Sequence, residues 1–180
     1  MSKLKLLSLV LGLSSATLGA ATWAQQDSPP KKAESKSTKA TFMVTGLHCP
    51  PCTRTVESSL AKVKGIRAVK VDWKTKNARI EFDEQLVTAQ QVGKLIANTP
   101  HMMGGNMHYG GWLALKIPEV KDEASANRAK TALGKVKGVK LVATVPDQHA
   151  VRVLFDAKGE LTTQHLIAGL KEAGFHAEVF

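Results

Sequence analysis

The sequence predicts an α+β protein made of two tandem copies of one small β-α-β-β-α-β unit, each an antiparallel sheet with two helices on one face. Three observations predict it. The segment Leu60-Ala-Lys-Val-Lys-Gly65 recurs as Leu133-Gly-Lys-Val-Lys-Gly138, 73 positions later. At that offset Ile66 meets Val139, Val69 meets Val142, Arg79 meets Arg152, and Phe82-Asp83 meets Phe155-Asp156. In both copies, segments of alternating polarity separate segments whose apolar residues recur at helical spacing.

The elements follow in order. Phe42 and Val44 alternate within Thr41–Thr45, a first strand. Val56, Leu60 and Val63 are spaced i, i+4, i+7 and form one apolar stripe on a helix, which Gly65 is placed to end. Val69, Val71 and Trp73 alternate as a second strand, and Lys74–Lys76 is a polar turn. Ala78, Ile80 and Phe82 line a third strand, opposite Asn77, Arg79 and Glu81. Thr88 caps a second helix carrying Val92, Leu95 and Ile96. The second copy has a strand at Trp112–Ile117, then a helix with Ala129, Leu133 and Val136. A third strand with Val151, Val153 and Phe155, a helix with Leu166 and Leu170, and a closing strand at Phe175–Phe180 complete it. For the first copy's fourth strand the candidate is Asn106–Tyr109. Such an order is that of a ferredoxin-like split βαβ domain.

Composition supports a packed core: 43% of the 180 residues are hydrophobic. With only two cysteines, a disulfide-rich scaffold is excluded, and no apolar run reaches the roughly 20 residues of a membrane span. Lys3 and Lys5, then the apolar Leu6–Leu18, then Ala20, Ala21 and Ala24 have the order of a secretory signal peptide. The expectation is therefore a signal at 1–24, export to a periplasm or beyond, and no stable membrane insertion once it is cleaved. Without Lys3 and Lys5, the 25 basic residues become 23 against 15 acidic, and the formal charge of +10 becomes +8. Residues 25–39, with Pro29, Pro30 and four lysines, read as a disordered linker. The remaining charge is diffuse and aromatics are only 5%, so nucleic acid is not an expected partner. The expected domains are a metal-binding unit at 40–99, a Met/His/Gly connector at 100–111 and a second unit at 112–180.

The two cysteines stand in Gly46-Leu-His-Cys-Pro-Pro-Cys52, between the first strand and the first helix. Two intervening residues let both sulfurs converge on one ion, and a helix N-terminus favours thiolate. Thiolates select soft ions such as Cu(I) or Zn(II) over Mg(II) or Ca(II). Two ligands do not close a tetrahedral structural site, so an incoming thiolate has room to take the ion away. Two other readings stand beside this one: a thiol-disulfide oxidoreductase, for which Cys-x-x-Cys also serves, and an inert disulfide in an oxidising compartment.

In these residues the chain resembles the heavy-metal-associated family, which includes copper chaperones, metal-binding domains of copper-transporting ATPases and the periplasmic mercury-binding protein. The family motif Gly-Met-x-Cys-x-x-Cys lies in the same strand-to-helix loop, and Gly65-Ile66-x-x-Val69 resembles the family's entry to the second strand. The resemblance covers the first unit well and the second by fold pattern only. It implies soft-metal binding by Cys49 and Cys52; the expectation is a non-enzymatic protein that captures Cu(I), the first choice because of the Met/His connector at 100–111, or else Hg(II) or Zn(II). It also implies a metal-donor or metal-acceptor protein as partner. Leu47 stands where the family has Met beneath the loop, His48 offers a possible third ligand, and Pro50 and Pro51 stiffen the loop. Lys62, Lys64 and Arg67 offer a basic face for an acidic partner, although a solvated surface explains them equally well.

At the repeat offset Cys49 corresponds to Asp122 and Cys52 to Ser125, so the second unit has no thiol pair. His149, His165 and His176 are scattered and read as ordinary residues. The connector holds His101, Met102, Met103, Met107 and His108, a thioether and imidazole set that suits copper. Packing or linker duty is its other reading.

Overall fold

Residues 37–180 are described by a computed structural model; the expected signal and the linker up to residue 36 lie outside them. The elements are β1 (Ser37–Thr45), α1 (Pro50–Ala61), β2 (Ile66–Asp72), β3 (Asn77–Asp83), α2 (Ala89–Ala97), β4 (Gly110–Lys116), α3 (Glu123–Gly134), β5 (Val139–Val145), β6 (Ala150–Phe155), α4 (Thr163–Glu172) and β7 (Glu178–Val179). Among the described residues the fold is α+β, with four α-helices, a short 3-10 turn at Pro146–Gln148 and an antiparallel sheet.

Two separate sheets are the expectation; the structure has one. Its strand order is β2-β3-β1-β4-β6-β5, with β7 added against β4, and every pairing is antiparallel. The joint is β4. Gly110 to Leu113 pair with Thr45 to Phe42 of β1, whereas Leu115 and Lys116 pair with Val179 and Glu178 of β7. Along its other edge β4 pairs with β6 from Trp112 to Lys116. This strand opens the second repeat and also fills the fourth-strand position of the first. Asn106–Tyr109, the expected fourth strand, is instead loop, because the connector spends its length on two successive turns closed by Gly104 N–H to His101 O and Met107 N–H to Gly104 O. The close approach of α2 to this strand requires glycine on both sides: a Cβ on Gly111 would lie 2.9 Å from the Gly93 carbonyl oxygen.

Other boundaries shift too. β1 begins at Ser37, not Thr41, because Ser37 to Lys39 continue the ladder with Asp83 to Glu81. Those three residues therefore leave the expected linker. Trp73 lies in the turn after β2, and only Glu178–Val179 of the expected closing strand pairs.

Pleating puts Phe42, Ala78, Ile80, Leu113, Val151 and Val153 on the same face, where the helices pack. Val56 and Leu60 of α1, Val92 and Ile96 of α2, Ala129 and Leu133 of α3, and Leu166 and Leu170 of α4 complete one continuous buried cluster. Each large apolar side chain contributes about 1.5–3 kcal/mol by leaving water. The contact between the repeats also has a polar part. Gln90, 1% exposed, donates Nε2–H to the carbonyls of Asp156 and Lys158 and accepts from the Leu161 N–H. Glu84 accepts from the N–H and hydroxyl of Thr163, at the first turn of α4.

Candidate metal centre

β1 ends at Thr45, and Gly46 (φ +85°) turns the chain toward α1, in the left-handed region where glycine is favoured. Leu47 packs beneath the loop, almost wholly buried, as the family's Met would; His48 is exposed. Cys49 is the N-cap residue of α1 and is half-buried, whereas Cys52 is fully buried against the core. The two are joined as a disulfide with Cα atoms 5.3 Å apart.

The second repeat shows what the cysteines displace. There Asp122 is the N-cap of α3, and its carboxylate accepts from the Ser125 N–H at 2.7 Å while Ser125 Oγ accepts from the Asp122 N–H at 3.2 Å. This is a capping box. Those donors also hold the Asp122 carboxyl below its ordinary value, the Ser125 N–H having the largest effect and the Ser125 hydroxyl the next. Cys49 and Cys52 occupy the equivalent two positions of α1, which has no side-chain cap. Loss of such a cap costs about 1 kcal/mol. Pro50 and Pro51 offset part of it, since they occupy the first two helical positions and delete two N–H groups that would otherwise lack partners. The offset of 73 already paired these positions in the sequence; recognising Asp122 and Ser125 as a capping box would have located the site within the helix.

The connector lies against this loop. His101 donates Nε2–H to the Gly46 carbonyl at 2.9 Å, and its Nδ1 accepts from the Met103 N–H at 3.1 Å. These partners assign the Nε2–H tautomer. The His101 ring stands 5.7 Å from that of His48 and 4.6 Å from that of Tyr109. The Tyr109 hydroxyl is buried without a hydrogen-bond partner; burial pushes the phenol up, and the nearby Met102 backbone draws it partly back. Met102 and Met103 are exposed, Met107 is half-buried and His108 is exposed. Thus the structure brings His48 and His101 beside the cysteine loop. Among the described residues, no group of three His, Cys, Asp or Glu side chains stands close enough to share a metal ion. No helix among them is long and apolar enough to cross a membrane.

The other candidates are occupied by protein partners or open to solvent. Arg67 reaches the nearly buried Asp83 at 3.8 Å, so of the basic trio it is committed within the fold, while Lys62 and Lys64 are exposed. His149 Nδ1 bonds the Val120 carbonyl, His165 completes the cap of α4 with Thr162, and His176 lies 2.6 Å from the Glu119 carboxylate, in loop rather than in the expected strand.

The heavy-metal-associated domain matches residues 41–100. Copper chaperone CopZ of Staphylococcus haemolyticus is 36% identical over 53 residues, which are 29% of this chain and 78% of CopZ. The mercuric transport protein periplasmic component of Serratia marcescens is 33% identical over 54 residues, 30% of this chain and 59% of that protein. Copper-transporting ATPase 2 of Rattus norvegicus is 23% identical over 156 residues, 85% of this chain and 11% of the ATPase, so the chain spans about a tenth of that relative's length. The domain match runs from β1 through α2 and includes both cysteines at the start of α1, and with the likeness to CopZ it means that the chain belongs to the heavy-metal-associated domain family.

Proposed function

We propose that this protein captures Cu(I) with the Cys49 and Cys52 thiolates and hands it to a partner protein by ligand exchange. The observation that carries the reading is the placement of both cysteines at the capping positions of α1, where the second repeat keeps Asp122 and Ser125. A helix cap given up for two sulfurs is a stability cost that a binding role accounts for. Cys52, packed in the core, holds one sulfur in place; Cys49, half-buried at the rim, offers the other to an incoming ligand. Capture takes place in the reduced chain, after a thiol reductant has supplied two electrons and two protons to the disulfide. Each thiol then releases its proton on binding, and the two-coordinate ion accepts a partner's thiolate before the first pair leaves. The protein performs no catalysis in this reading. Residues 1–24 direct it to a periplasm or outside the cell, the compartment printed in the name of its Serratia relative. Exposed Lys62 and Lys64 favour an acidic face on the partner.

The test is an anaerobic competition titration of the reduced chain with a chromophoric Cu(I) chelator. The expected result is one Cu(I) held at the thiols more tightly than any other copper, and this tightest binding disappears in Cys49→Ser/Cys52→Ser. Equal affinity in that variant would overturn the proposal. Parallel titrations with Hg(II) and Zn(II) establish which soft ion is held most tightly.

The disulfide favours a second reading, thiol-disulfide exchange, in which Cys49 is the accessible sulfur. Insulin reduction with turnover, together with no metal affinity in the reduced chain, would select it.

A further inference from the structure

We infer that the connector forms a second soft-metal site, separate from the cysteines, in which the Met102 and Met107 thioethers and the His108 imidazole hold Cu(I). All three residues line one depression of about 640 Å³, together with His101. Met103 does not line it, and its backbone N–H is tied instead to His101. The two consecutive turns at His101–Gly104 and Gly104–Met107 fold the chain back so that residues five and six positions apart share this hollow. Met102 is 57% exposed and Met107 is half-buried, so an ion can reach both from solvent. The His108 ring is exposed and takes no hydrogen bond. His101 is the contrast: both of its nitrogens are engaged, so it anchors the loop and is not a ligand.

The donor set names the ion. Two soft thioethers and an imidazole suit Cu(I), and residues 100–111 contain no carboxylate to attract a hard cation. Zn(II) sites are built from thiolate, imidazole and carboxylate, and thioethers are not among those ligands. A Cβ built on Gly104 or Gly105 meets nothing within 4 Å, so the turns have room to adjust as the three donors close on the ion. Thioethers form no disulfide, and the site therefore remains competent with Cys49 and Cys52 joined, the state of this structure. The inference rests on the proposed function only for the choice of a soft ion; the connector needs neither thiol.

The experiment uses the full chain carrying Cys49→Ser/Cys52→Ser, held with ascorbate under anaerobic conditions and titrated with Cu(I) against a chromophoric chelator. One Cu(I) per chain is expected, with copper–sulfur and copper–imidazole scattering in X-ray absorption. Adding Met102→Leu/Met107→Leu, which keeps volume and apolarity, weakens binding by at least about tenfold, and Met103→Leu leaves it unchanged; losing a ligand costs no less than losing a ligand's supporting partner. Circular dichroism verifies that each variant is folded. The inference is overturned if the Cys-less chain holds no Cu(I), or holds it equally well after the Met102/Met107 change. A reduced wild-type chain that binds only at the connector would overturn the proposed function and leave this inference standing.

Discussion

His101 donates its Nε2–H to the carbonyl oxygen of Gly46, 55 positions earlier, and so ties the connector to the loop that presents Cys49. The imidazole spends its other nitrogen on the Met103 N–H and packs against Tyr109. His101→Ala is expected to lower stability by about 1–2 kcal/mol, through one lost hydrogen bond and lost packing, while Cu(I) affinity at the cysteines changes little. Urea unfolding and chelator competition on the same samples check the two halves of this statement. Loss of the tight ion would mean that His101 is a ligand.

Gly46 tolerates no side chain. Its φ of +85° is strained for other residues, and a Cβ would lie 2.5 Å from the His108 carbonyl oxygen, a backbone atom with little freedom to yield. Gly46→Ala should destabilise by about 1–3 kcal/mol and lower the thermal midpoint by several degrees. An unchanged midpoint would show that the connector does not press on this turn.

Gln90 joins the repeats through three side-chain hydrogen bonds to the loop before α4. Gln90→Leu leaves the Leu161 N–H and the Asp156 and Lys158 carbonyls without their partner. A loss of about 2–4 kcal/mol is expected, read from the denaturant midpoint, with faster amide exchange at Leu161. If exchange there is unaltered, the repeats are held by the shared strand and apolar packing alone.

Asp122 makes stability depend on pH in the second repeat, where α1 has no equivalent carboxylate. Its folded pKa is depressed, chiefly by the Ser125 N–H, so its contribution is fully present above the unfolded value and is lost as pH falls through the folded one. Compared with Asp122→Ala, the wild-type chain should have the higher thermal midpoint at pH 6, and the gap should close below about pH 4. A gap independent of pH would assign the effect to something other than the ionised cap.

Much of this was legible before any coordinates. The stripe Val56–Leu60, the alternation around Phe42 and Ile80, and the cap at Thr88 all depend on neighbours within a few positions, where period and capping chemistry speak directly. The cysteine motif belongs to the same class, because its spacing alone brings two sulfurs to one point. Most helix and strand positions, the 73-residue recurrence and the spacing of the two cysteines are thus readable from the residues alone. That β4 pairs within both repeats is visible in the fold alone, since pairing with β1 and β7 on one edge is a property of partners far apart along the chain. The fold alone also ties both His101 nitrogens to backbone groups and places Met102, Met107 and His108, with His101, around one hollow. A glycine-containing loop has no period to read; which of its residues meet is set by the turns it makes and by long-range contacts such as the His101–Gly46 bond.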